Sequence, residues 1–152
     1  MNTEQALMKL FCSNFVAYYR SHASHVNVVG RNFYSDHKLL QKIYEDLQSE
    51  IDTLAELLRT IDLEVPEIIS EILDESDVFD TKIIDLGTGL GYLTAVYDDL
   101  ETLIGSYIDL EESTKDSMDL NHLANYAQDR VRTLHKFCWM LKSTLASRRN
   151  SD

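Results

Sequence analysis

Apolar residues recur along four long stretches of this chain in alternating steps of three and four, the repeat of one helix face. Leu7, Leu10, Phe11, Phe15 and Tyr18 predict a first helix over residues 3 to about 24, and Ser21 to Asn32 then turns the chain. Leu40, Ile43, Leu47, Ile51, Leu54, Leu58 and Ile61 predict a second from Asn32 to about Asp62. Asn32 suits its N-cap, and Asp36 sits in its first turn, where an acid faces the positive end of the helix dipole. Leu93, Val96, Leu100, Leu103, Ile104 and Tyr107 predict a third over 92–112. Leu120, Leu123, Ala127, Val131, Leu134, Cys138, Leu141 and Leu145 predict a fourth over 118–147, with Trp139 as a packing anchor.

Residues 63 to about 88 connect the second pattern to the third. Pro66 suits a first helical position, and Ile68, Ile69, Ile72 and Leu73 give a short amphipathic helix ahead of the acidic Asp74-Glu75-Ser76-Asp77. Such a long connection is unusual between antiparallel neighbours and expected where two adjacent helices run parallel. The prediction is an all-α four-helix bundle with a long crossover carrying a short helix, in one domain over residues 1–152. One Pro and five Gly suit it.

A glycine-rich run, Ile83-Ile84-Asp85-Leu86-Gly87-Thr88-Gly89-Leu90-Gly91, reads like the cofactor loop of a Rossmann-like methyltransferase. That fold needs alternating strands and helices, and long helical patterns flank the run instead. Its glycines more simply bend the crossover into the third helix.

Composition narrows the classes further. With 44% apolar and 26% charged residues, no apolar run of membrane-spanning length and an acidic start (Met-Asn-Thr-Glu-Gln), the expectation is a soluble, cytoplasmic protein with no membrane contact. Cys12 and Cys138 fall among apolar helix positions and read as reduced core thiols. A net charge of −12 argues against tight nucleic-acid binding, which needs clustered cations; only Lys142, Arg148 and Arg149 gather near the C-terminus. An acidic surface suits cations better.

The chemistry concentrates between residues 25 and 56, where His25, His37, Asp52 and Glu56 form a set of metal-ligand type. Asp52 and Glu56 are i and i+4, stacked on one helix face. His37 lies fifteen residues before Asp52, roughly 22 Å along a helix rising about 1.5 Å per residue, so one copy of the helix cannot close the site. Two antiparallel copies about a two-fold axis can.

The stretch from His25 to Glu56 resembles the signature of the Dps family, the mini-ferritins of the ferritin-like superfamily. A His near the end of the first helix is followed by a turn with Gly30, Asn32 and Phe33, by a second His, and by an Asp-x-x-x-Glu pair. The resemblance implies a ferroxidase centre across a dimer interface, with His25 and His37 from one subunit and Asp52 and Glu56 from its mate. It implies iron as the metal, peroxide or O2 as oxidant, ferric oxide stored in a hollow homo-oligomeric shell, and limited oxidative damage to DNA. The absence of a fifth helix favours a dodecamer built from two-fold dimers. Phe137 to Leu141 also resembles the end of the family's last helix, and the short crossover helix its dimer-interface helix.

Two positions depart from the pattern. Gln41 stands where the family usually has an Asp ligand one turn after the second His, and Val26 where an aromatic usually follows the first. An amide is a poorer ligand than a carboxylate, so the alternative expectation is a structural Dps-like shell with a weakened or lost centre. His22 is a candidate additional ligand alongside Gln41. Asp109, Glu112, Asp116 and Asp119, with Glu111, crowd the turn into the fourth helix; they read as a solvated corner or, by the resemblance, as an acidic cation funnel at a three-fold axis. His122 and His135 have no expected metal role.

Overall fold

A computed structural model describes residues 1–148 of the chain. Among these the elements are all helical: α1 (Thr3–Asn27), α2 (Phe33–Thr60), a short α3 (Ile69–Glu75), α4 (Leu90–Ser113) and α5 (Asn121–Ala146), the last entered through a 3-10 turn at Met118–Leu120. The chain opens on a capping box: Asn2 Oδ1 accepts from the Gln5 amide at 2.9 Å, and Gln5 Oε1 accepts from the Asn2 amide at 3.1 Å. Leu7, Leu10, Leu40, Ile43, Leu47, Leu54, Leu58, Leu93, Leu100, Leu103, Leu123, Leu134, Leu141 and Leu145 fill the centre. Fully burying side chains of this size contributes about 1.5–3 kcal/mol each, the main force holding the four long helices together.

The boundaries differ from the periodic reading in informative ways. Helix α1 runs through His25 to Asn27, and only residues 28–32 turn the chain. Asn32 makes no side-chain cap. Pro66 precedes the Ile68 N-cap of α3, and only Ile72 of that helix is buried. Trp139 is 64% exposed, because it lies about 100° around the helix from core-facing Cys138. Cys12 and Cys138 are free and buried, and burial pushes both thiols up to about 11.

Two buried polar networks lock the bundle. Arg130 of α5 reaches Asp46 of α2 through both guanidinium nitrogens, at 3.1 and 2.6 Å, and meets the Tyr107 hydroxyl at 3.4 Å. Tyr126 donates to Glu50 at 2.7 Å. The acids inside the bundle therefore already have a cation and donors from their own chain. Near the C-terminal end, Arg148 forks onto wholly buried Asp36 at 2.7 and 2.9 Å and also donates to the Thr88 carbonyl at 3.1 Å. This removes Arg148 from any basic surface patch; Arg149 lies outside the described residues.

The glycine run is the hinge of the crossover. Asp85 accepts the amides of Gly87, Gly89 and Gly91 at 2.9, 3.2 and 2.7 Å, so the chain's own carboxylate fills the place where a phosphate would sit in a nucleotide loop. Gly89 caps α4 at φ +83°, where a Cβ would collide with Asp36 and Arg148.

Candidate metal centre

The α1–α2 hairpin builds the site. Val28 is buried, and Gly30, at φ +113°, lets the turn close against the Gly87 carbonyl. This register sets His25, near the end of α1, against His37, one turn into α2. Their rings stack with centroids 3.8 Å apart and planes 15° from parallel. His25 Nδ1 lies 2.7 Å from the His37 carbonyl, and His37 Nδ1 lies 2.8 Å from the His25 carbonyl. A carbonyl only accepts, so both Nδ1 atoms carry the proton and both Nε2 atoms keep their lone pairs. The His25 carbonyl is also one of the helix-terminal acceptors left over at the end of α1.

Rings extend on both sides of this pair. Phe33 stacks on His37 at 5.0 Å, and Tyr44 lies 5.0 Å from His25. His22 stacks on Tyr44 at 3.9 Å and 4°, and its Nδ1 is 2.8 Å from the Tyr18 hydroxyl. His22 thus lies one turn behind His25, its Nδ1 engaged by a phenol. Val26 is exposed and outside the ladder.

Asp52 and Glu56 sit farther along α2, both exposed. The Glu56 carboxyl is held above its usual range, first by a hydrogen bond with Asp52 and then by repulsion from its charge. Two acids in that relation form a place where a cation is favoured. Among the described residues, no three His, Cys, Asp or Glu side chains converge as a metal site within one chain. The structure brings the histidines together and the acids together but leaves the halves apart. Gln41, one turn after His37, is half-buried and donates from Nε2 to Glu45 Oε1 at 2.9 Å.

At the α4–α5 corner, Asp109, Glu112, Asp116 and Asp119 are all exposed, and Lys115 pairs with Glu112 at 2.7 Å. His122 and His135 are exposed on α5. Sequence reasoning passed over the ring ladder and the two arginine networks. The signal for the networks was present: Arg130 and Asp36 each occupy a position on the core face of their helix, in step with Ala127 and Leu134 and with Leu40 and Ile43.

Comparison with known proteins agrees with this architecture. A family model described as a ferritin-like domain matches residues 4–150. The chain is 25% identical over 146 residues to the DNA protection during starvation protein of Helicobacter pylori, covering 96% of this chain and 100% of that one. It superposes on the Dps protein of Vibrio cholerae O1, described as one of a broad superfamily of ferritin-like diiron-carboxylate proteins, with TM-score 0.86 and 26% identity over 94% of this chain and 88% of that one. Dps from Listeria monocytogenes, 22% identical, shares the fold with TM-score 0.88 over 96% of this chain and 94% of that one. The chain belongs to the ferritin-like family and, within it, to the Dps-type mini-ferritins.

Proposed function

We propose that this protein binds Fe(II) at sites shared between two-fold related subunits, oxidises it with peroxide or O2 and stores the ferric product in a dodecameric shell. The observation that carries the reading is the reciprocal bonding of His25 and His37, which turns two neutral Nε2 lone pairs into a fixed donor pair. Asp52 and Glu56 are the anionic complement, and the roughly 22 Å between His37 and Asp52 along α2 requires that they come from the mate. In that arrangement the histidines bind Fe(II), and the two carboxylates add charge that favours the ferric product.

Several features support the assembly. Phe79, Ile84 and Leu86 of the crossover and Ile69 of α3 stand exposed, an apolar surface suited to burial against a second copy. The Asp109, Glu112, Asp116 and Asp119 corner supplies negative charge suited to drawing cations in at a three-fold axis. With net charge −12 and Arg148 committed to Asp36, any DNA protection works by removing Fe(II) and peroxide in the cytoplasm rather than by coating DNA. A gel shift that withstood salt at neutral pH would refute that.

The second reading is a structural shell with a weakened centre, favoured by the amide of Gln41. Size exclusion with light scattering, followed by anaerobic Fe(II) titration and peroxide addition, tests both. The expected result is a twelve-subunit particle that takes up iron. A monomer at micromolar concentration overturns shell and site together; a shell that takes up no iron leaves the structural reading.

A further inference from the structure

The ring ladder continues past the proposed ligands to a tyrosine hydrogen-bonded to a base. From His25 it passes to Tyr44, from Tyr44 to His22, and from His22 to Tyr18 at 5.5 Å between centroids. The Tyr18 hydroxyl and His22 Nδ1 are 2.8 Å apart, within proton-transfer reach. The Gln48 amide points at the same phenol oxygen from 3.5 Å, which leaves the phenol hydrogen for Nδ1. Tyr18 and His22 are i and i+4 on α1, both half-buried, so the pair is sheltered but linked to the centre by rings in contact.

We infer that Tyr18, with His22 as its proton acceptor, is a redox-active residue that supplies the second electron to peroxide when only one Fe(II) occupies the centre. The inference rests on the proposed iron function. Gln41 makes the situation common, since a site short of one carboxylate holds its second iron weakly. Peroxide needs two electrons and two protons to become two water molecules. One electron comes from the bound Fe(II), which becomes Fe(III). The other comes from Tyr18: its O–H bond breaks, the proton forms an N–H bond at His22 Nδ1, and a phenoxyl radical remains. The two protons that peroxide takes up come from water. A later Fe(II) gives one electron back to the phenoxyl, the proton returns from His22, and a second Fe(III) is produced. No hydroxyl radical is released at any stage. A phenol loses an electron readily only when a base removes its proton in the same event, and His22 is that base.

The test uses the assembled protein loaded anaerobically with one Fe(II) per site, with binding measured before oxidant is added. One equivalent of hydrogen peroxide follows, with rapid freezing for electron paramagnetic resonance and a spin trap in parallel. Wild type gives a tyrosyl radical signal whose hyperfine pattern changes when ring-deuterated tyrosine is incorporated, and little trapped hydroxyl radical. Tyr18→Phe binds iron equally, loses the signal and releases several-fold more hydroxyl radical. His22→Gln keeps the phenol but cuts the radical yield several-fold. Normal iron binding with no radical in wild type, or an undiminished radical in Tyr18→Phe, overturns the relay and leaves the iron reading standing. A wild type that binds no iron overturns the iron reading and, with it, the relay.

Discussion

His25 and His37 each donate the Nδ1 proton to the other's backbone carbonyl, at 2.7 and 2.8 Å, so each ring orients the other and closes the hairpin that carries both. Neither histidine can be changed without disturbing its partner. Nitrogen NMR of labelled histidine should find both rings protonated at Nδ1 above the imidazole titration range. His37→Ala should lower Fe(II) affinity by at least the ~10–100-fold that loss of an outer hydrogen-bond partner alone costs a metal site. The double variant with His25→Ala should lose less than the product of the two single effects. Full additivity in anaerobic titrations would mean that the rings act independently.

Asp36 and Arg148 form a buried bidentate pair joining the start of α2 to the chain just beyond α5. Removing one member of such a pair leaves the other charge in the interior, at a cost of about 3–5 kcal/mol, whereas replacing both with apolar groups is often neutral. Asp36→Asn should therefore lower the denaturant midpoint sharply, and Asp36→Leu with Arg148→Met should recover most of the loss. An unchanged midpoint in Asp36→Asn would show that the bridge adds nothing.

The helices were legible because Leu40, Ile43, Leu47, Leu54 and Leu58, and their counterparts elsewhere, carry a period that only a helix satisfies. The end of α1 was not. His22, Ser24 and His25 carry no apolar signal, and the last turn is held by Val28 bonding back to Ser24 and by His37, twelve residues on, bonding to His25. The acid pair and the histidine pair were legible as spacing. The stacking of His22 on Tyr44 was not, since it depends on the register of two helices. Arg148 read as a free cation because its partner lies 112 residues away.

Asp99 offers a pH test. Burial pushes its carboxyl from 3.8 up to about 6, against the pull of Arg20, whose Nε lies 2.7 Å away. The folded state therefore holds this proton more tightly than the unfolded chain. The contribution to stability is full below 3.8 and is lost as pH rises through about 6. Unfolding measured across that window for wild type and Asp99→Asn should show the wild type's advantage shrinking with rising pH. A difference that is flat, or that grows with pH, would show that Arg20 outweighs burial.

Gln41 is the residue on which the strength of the proposed centre turns. It follows His37 by one turn on the same face of α2, and its Nε2 donates to Glu45 at 2.9 Å. A carboxylate at this position would add a charge and two acceptor oxygens to a donor set of two imidazoles and two carboxylates; the amide adds a neutral oxygen and turns its nitrogen to Glu45. The shortage falls mainly on the second iron, because the first can use a histidine with Glu56. Wild type should therefore bind one Fe(II) tightly and one weakly per site and oxidise slowly. Gln41→Asp places a second acid one turn from Glu45, and like charges at i and i+4 cost an isolated helix only ~0.2–0.5 kcal/mol, so the fold should persist. With metal present, that repulsion becomes attraction for the cation. Anaerobic titration should find the weak position strengthened about tenfold or more, with faster oxidation on adding peroxide. Equal binding and equal rates in the two proteins would place position 41 outside the reach of the metal.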